Sequence, residues 1–168
     1  MQILLSEQQI QKRVAEMAAE IRRDFPDDVH LIAVLKGAFI FLSDLVRQMS
    51  GKVSLDFMAV SSYAKGTTTS GEVRMMKDLD FGLDGRNVII VEDIVDSGLT
   101  LHYLHEILRA RNPKSLRTAC LLSKPSRRLV EVPVEYIGFA IEDHFVVGYG
   151  LDYAEQHRNL SHIAVLQP

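Results

Sequence analysis

Apolar residues recur along this chain at two periods, and the alternation between them predicts its architecture. Ile10, Val14, Met17, Ala18 and Ile21 share one face of a helix, behind a Ser6/Gln9 capping-box pattern and ahead of Pro26. Val29 to Leu35 is an apolar run of strand length ending in Lys36-Gly37, and a helical stretch from Ala38 to Met49 closes at Ser50-Gly51. Val53, Leu55 and Phe57 alternate with polar positions, predicting a strand to about Tyr63. Ala64 to Glu72 has no apolar periodicity and is rich in Gly, Thr and Ser, so it reads as a mobile loop before a strand from Val73 to Leu79. Leu83-Asp84-Gly85 is a turn. Val88 to Val91 is continuously apolar, as expected of a strand covered on both faces. Beyond Asp96-Ser97-Gly98, Leu101, Leu104, Ile107 and Leu108 mark the buried face of a helix that stops at Asn112-Pro113. Further strands are expected at Leu116–Leu122, Val134–Ile141, Phe145–Val147 and His162–Leu166.

Strands alternating with helices in this order predict an α/β protein with a parallel sheet and helices on both faces, a single domain over residues 1–168. In such sheets ligands bind beyond the carboxyl ends of the strands. That rule selects Lys36-Gly37, Glu92-Asp93, Lys124 and the loops after them.

Composition narrows the function classes. Hydrophobic residues make up 47% and charged ones 24%, close to the globular average. A net charge of −3 with no long Lys/Arg run argues against a nucleic-acid or membrane surface. The pair Arg127-Arg128 reads as a solvated loop. The lone Cys120 lies in an apolar run and cannot form an internal disulfide, so a buried thiol in a reducing, cytoplasmic setting is expected. No signal peptide precedes the first helix, and no apolar stretch reaches the roughly 20 residues of a membrane span.

The chemistry concentrates at Glu92-Asp93-Ile94-Val95-Asp96-Ser97-Gly98-Leu99-Thr100. The apolar strand before it delivers two adjacent carboxylates that point to opposite sides of an extended chain. They can flank a polyol, accepting bonds from vicinal hydroxyls or from water on a bound Mg²⁺. Asp96 to Thr100 then opens a helix, whose free N–H groups and positive dipole end suit a phosphate. Gly98 permits close backbone approach, and Ser97 and Thr100 add hydroxyl donors.

The stretch Val91 to Thr100 resembles the phosphoribosyl-diphosphate (PRPP) motif of the purine phosphoribosyltransferases, closest to the hypoxanthine–guanine type. Leu35-Lys36-Gly37 is similar to the family's diphosphate loop, often described with a cis peptide before the lysine. Ser62-Tyr63 looks like the start of its catalytic lid, with Ala64 to Glu72 as the lid. Lys124 is similar to its base-reading lysine, Phe145 to Tyr153 to its purine pocket, and Arg158 to its diphosphate arginine. The resemblance covers nearly the whole chain. Leu99 stands where animal members often carry lysine, and His144 where other members do.

The resemblance implies a type I phosphoribosyltransferase-like fold: a central, mainly parallel sheet flanked by helices, with a small hood from the terminal segments. The implied reaction moves the 5-phosphoribosyl group of PRPP to hypoxanthine or guanine, giving IMP or GMP and pyrophosphate. Asp96 would be the base, and Lys36, Gly37, Glu92, Asp93, Asp96 to Thr100 and Arg158 would bind PRPP. Lys124, Phe145, the backbone of Val146, and Asp152 would line the base site. Mg²⁺ would be held by Glu92, Asp93 and Asp152, in a homo-oligomer, dimer or tetramer.

Other signals are set aside. Gly66 to Gly71 has the glycine spacing of a Walker loop but continues as Glu72-Val73, and Gly148-Tyr149-Gly150 lacks a third glycine. His102 and His105 read as a solvated helix face. A phospho-receiver domain would separate its acidic pair from Lys124-Pro125 by more elements. The alternative from another class is a non-catalytic RNA-binding regulator of the same fold using nucleotide as effector, for which a basic surface would be the discriminator.

Overall fold

The computed structural model describes residues 1–65 and 68–167, with backbone alone over 62–72. The chain runs β1 (Gln2–Leu5), α1 (Glu7–Asp24), β2 (Asp28–Leu35), α2 (Phe39–Arg47), β3 (Lys52–Lys65), β4 (Thr68–Lys77), β5 (Asn87–Val95), α3 (Leu99–Arg109), β6 (Ser115–Ser123), a 3₁₀ turn (Pro125–Arg127), β7 (Tyr136–Ala140), β8 (Val146–Val147) and β9 (Ile163–Val165). Ser6 and Gln9 close the capping box of α1 reciprocally, at 3.1 and 2.9 Å. The predicted apolar face of α1 is the one buried, and Ile10, Met17 and Ile21 each gain about 1.5–3 kcal/mol relative to exposure.

Six strands form the main sheet in the order β4-β3-β2-β5-β6-β7, parallel except for the antiparallel β3–β4 pair. The terminal segments supply an antiparallel hood, β1-β9-β8. Side-chain alternation along β5 sorts the two faces: Ile89 and Val91 join the core with α1 and α2, while Val88 and Ile90 join the one with α3. Connections leave β2 toward one edge and β5 toward the other, so the order reverses between these neighbours. Loops following them therefore meet at a topological switch point.

Three expectations are corrected. Most of the segment read as a loop is strand, since β3 continues to Lys65 and β4 starts at Thr68, pairing Ser62 with Val73 and Tyr63 with Glu72. A two-stranded ribbon needs no apolar face to be extended, and β-branched Thr68 and Thr69 favour it; residues 66 and 67 of the expected lid lie outside the described residues. The third helix buries His105 in preference to Ile107, with His105 Nε2 2.8 Å from Thr118 Oγ1 on β6, so only His102 is solvated. Finally, β1 was not foreseen, because four residues are too few to show a period. Cys120 is buried as expected, and burial, with Glu92 beside it, pushes its thiol up to about 12.

Candidate active site

Glu92 and Asp93 end the buried run of β5, and the alternation that sorts the core also separates them. Glu92, 7% exposed, follows Val88 and Ile90 onto the α3 side, where it lines a cleft of about 100 Å³ with Asp96, Ser97, Gly98 and Thr100. Asp93 takes the other side, against the loop after β2: a Cβ added to Gly37 would land on its carboxylate oxygen. Burial raises both carboxyls. Asp93 rises to about 6, and Glu92 well above the ordinary range by burial and the Asp93 charge. Positive charge brought to either carboxyl would relieve that desolvation.

The loop Asp96–Gly98 opens α3 with a single side-chain bond on its N-terminal amides, the N-cap Gly98 supplying none. Gly98 has φ 86° there, and Ser97 Oγ accepts only from Leu99 N, at 3.3 Å. The free amides of this first turn suit a phosphate.

The loop after β2 begins with a cis peptide between Leu35 and Lys36, as the resemblance implies. It packs against a strap over residues 148–158, where a Cβ on Gly150 would strike the Gly37 carbonyl. Among the described residues, four of the five non-glycine positive φ values fall in this strap: Tyr149, Ala154, Glu155 and His157. Such conformations cost about 1–3 kcal/mol each and survive where surroundings enforce them. Tyr149 supplies one anchor, donating to the Asp44 carboxylate of α2, which also accepts from Gln11 of α1. Arg158 supplies another, donating to the Gly150 carbonyl at 2.7 Å and lying 3.3 Å from both Asp152 and Glu155. Lys36 Nζ reaches Glu155 at 3.3 Å, and Glu155 in turn lies beside Arg158, which also faces Asp152.

On the far side of the switch point, Lys124 is 7% exposed and pairs with Asp143 at 3.5 Å. Phe145 is 53% exposed, its ring meeting Tyr153 edge to face at 5.6 Å, and Val146 is buried on β8. The arginine pair read as a solvated loop belongs here. Arg127 Nε lies 3.0 Å from Asp96 Oδ1 and its Nη1 3.6 Å from Asp143 Oδ2, while Arg128 donates to the carbonyls of Val95 and Asp96 and to Ser123 Oγ. Asp143, Arg127 and Arg128 were missed because their partners come together only when the chain returns from β6 to the end of β5. Side chains of Ser62 and Tyr63 lie outside the described residues.

A family model described as phosphoribosyl transferase domain matches residues 2–154. A hypoxanthine-guanine phosphoribosyltransferase of Bacillus subtilis is 50% identical over 99% of this chain and 93% of its own. The chain belongs to the phosphoribosyltransferase family, within its hypoxanthine-guanine branch. A hypoxanthine phosphoribosyltransferase of Haemophilus influenzae is 48% identical over 96% of this chain and 92% of its own. The crystal structure of a hypoxanthine-guanine phosphoribosyltransferase from Bacillus anthracis superposes with a TM-score of 0.95, at 48% identity and 99% coverage of both chains. The expected phosphoribosyltransferase fold and family are thereby borne out, and the chain is a pentosyltransferase of purine salvage. These relatives give no support to the RNA-binding alternative.

Proposed function

We propose that residues 1–168 act as one domain that transfers the 5-phosphoribosyl group from PRPP to a 6-oxopurine, hypoxanthine or guanine, releasing pyrophosphate with IMP or GMP. The observation that carries the division of labour is the convergence, at one switch point, of Glu92-Asp93, the open α3 N-terminus, Lys36-Gly37 and Lys124. The amides of Ser97 to Thr100 take the 5-phosphate. Glu92 and Asp93 accept from the ribose hydroxyls. Negative charge grows on the departing diphosphate as the anomeric bond breaks, and Lys36 and Arg158 neutralise it. Asp96 accepts the proton from purine N7 as the new bond forms. Lys124, a donor only, favours an oxygen at purine position 6 over the amino group of adenine. Phe145 offers its exposed face for stacking, and the Val146 backbone completes the base site. Ser62 and Tyr63 serve the lid that excludes water.

Glu92, Asp93 and Asp152 would hold Mg²⁺, which when bound supplies charge neutralisation on the diphosphate side. The residues fit the ion. Among the described residues no cluster of three or more His, Cys, Asp or Glu forms a full cage, but magnesium needs only one or two carboxylates plus substrate oxygens. The raised pKa of the buried pair marks the charge it would offset.

No helix is long and apolar enough to cross a membrane among the described residues. The lone buried cysteine supports a cytoplasmic setting, and the charge of −3 supports partners other than nucleic acid or membrane. Exposed Phe39, Leu55 and Phe81 favour a homo-oligomer, dimer or tetramer, to be read by light scattering. The test of function is turnover with PRPP and Mg²⁺ against hypoxanthine, guanine, xanthine and adenine, with Asp96→Asn beside it. Oxopurine turnover absent with adenine supports the reading; PRPP binding with no turnover of any base would sink it.

A further inference from the structure

The strap over residues 148–158 opens with three consecutive residues in the left-handed region, Gly148 at φ 103°, Tyr149 at 50° and Gly150 at 99°. Glycine takes such a conformation freely, whereas tyrosine is strained in it. Tyr149 is only 3% exposed, and its side chain reaches a partner that holds it there. The phenol donates to Asp44 Oδ2 on α2, an oxygen that also accepts from Gln11 Nε2 of α1 at 3.1 Å. Asp44 Oδ1 accepts from Arg47 Nη2 at 2.6 Å. Burial works to raise the Asp44 carboxyl, but the bonds from Tyr149, Gln11 and Arg47 outweigh it and hold the group below its ordinary value. Burial and the bond to Asp44 push the phenol upward, so donor and acceptor keep their roles at neutral pH.

Position gives this bond its leverage. Helix α2 grows directly out of the loop after β2, with Phe39 N donating to the Lys36 carbonyl at 3.2 Å and Leu42 N to that of Ala38 at 2.9 Å. The strap therefore meets one continuous segment twice, at Gly37 through Gly150 and at Asp44 through Tyr149. From Ala38 to Asp44 the helix rises roughly 9 Å, at about 1.5 Å per residue. One contact alone would leave the strap free to pivot, and the second fixes its angle. Other strap bonds are internal, such as Gly150 N to the Arg158 carbonyl and Arg158 Nη1 to that of Gly150. Among the described residues, the other side-chain bond from the strap to the loop after β2 is Lys36–Glu155, exposed at both ends. Phe145 and Val146 are held separately, by Leu166 N on the Phe145 carbonyl and by the pairing of β8 with β9.

We propose that Tyr149 and Asp44 are positioning residues for the diphosphate of PRPP, their bond setting the angle at which the strap presents Arg158 and Asp152. The inference rests on the proposed assignment of Lys36 and Arg158 to the diphosphate. A displacement of about 1 Å in a positioned group can cost about 10²-fold, so a pivoting strap is felt by the ligand. The loss falls on the diphosphate and spares the base and the 5-phosphate, whose partners lie on β8 and the loop before α3.

PRPP and IMP share the ribose and 5-phosphate but differ in carrying the diphosphate or the base. Calorimetric titration of each in the presence of Mg²⁺ therefore separates the two halves of the site. Tyr149→Phe is expected to weaken PRPP about tenfold and to leave IMP within about twofold. Asp44→Asn keeps an oxygen for the phenol and should retain most of the PRPP affinity, whereas Asp44→Ala should match Tyr149→Phe. The double variant of Tyr149→Phe with Asp44→Ala should bind PRPP no more weakly than either single one, as two ends of one bond require. Should Tyr149→Phe fail to fold, Asp44→Ala set against Asp44→Asn reads the same bond. A lower Tm with unchanged PRPP affinity, equal losses for PRPP and IMP, or additive losses in the double variant would each overturn the proposal. Wild-type protein that binds neither ligand would instead refute the proposed function, and this inference with it.

Discussion

In the proposed reaction Asp96 and Lys124 divide the work on the base, Asp96 paired with Arg127 just after β6 and Lys124 with Asp143 after β7. The Asp96–Arg127 pair has side chains 42% and 54% exposed, so solvent screening leaves it little weight in stability and it serves to aim the carboxylate. Asp96→Asn keeps that shape and removes the basicity. Loss of a general base costs about 10²–10⁴ in rate, so kcat with hypoxanthine is expected to fall by that factor while PRPP affinity is kept. Steady-state kinetics decide it, and an unchanged kcat would move the base elsewhere. Lys124 makes a different point, because its only capacity is donation. Lys124→Gln introduces an acceptor, so kcat/KM for hypoxanthine should drop and adenine should rise above background. The change narrows a discrimination that one hydrogen-bonding group can set at about 10⁴. Equal losses for both bases would remove Lys124 from specificity.

At the level of elements, three connections make the site: the loop after β2, the loop after β5 and the strap over residues 148–158. Gly37 and Gly150 are where they touch. Gly150 combines φ 99° with a Cβ position on the Gly37 carbonyl, so backbone would meet backbone. Gly150→Ala is expected to cost about 1–3 kcal/mol as overpacking, with further strain from φ, seen as a lower Tm and a raised KM for PRPP. Gly37→Ala instead meets the Asp93 side chain, which can swing. It should spare Tm more than Gly150→Ala while still raising the PRPP KM, and the reverse ranking would refute this account. Much of this frame was legible in the sequence, because β5 carries its own burial code: four apolar residues, then two carboxylates sent to opposite faces. The capping box of α1 and the loop before α3 were equally local signals. The hood strand β1, with four residues, carries no readable period, whereas β8 lies within the strand expected at Phe145–Val147. Nor could sequence place Arg127 beside Asp96 or His105 against Thr118, since those contacts exist only once β6 lies next to β5.

For the whole molecule, the carboxylates that would hold substrate and Mg²⁺ oppose folding when they ionise alone. Burial raises Asp93 from 3.8 to about 6. A carboxyl raised by folding contributes stability that is fully present below its unfolded pKa and lost as pH rises through about 6. His30 and His105 run the other way. Burial lowers both from 6.5, so their contribution is present above that value and lost as pH falls through their folded values. These opposing slopes overlap, so the melting curve of one protein cannot isolate Asp93; comparison with Asp93→Asn can. Without metal, Asp93→Asn is expected to be the more stable at pH 7.5 by on the order of 1–3 kcal/mol. The gap should close as pH falls through 6 toward 3.8, the unfolded carboxyl value. Adding PRPP with Mg²⁺ should reverse the order at pH 7.5, because the ionised pair then gains its counter-charge, and EDTA should abolish both that gain and turnover. Parallel melting curves for the two proteins from pH 4 to 7.5 would show that Asp93 ionises without cost. The site would then owe its affinity for PRPP to Lys36, Arg158 and the α3 amides alone.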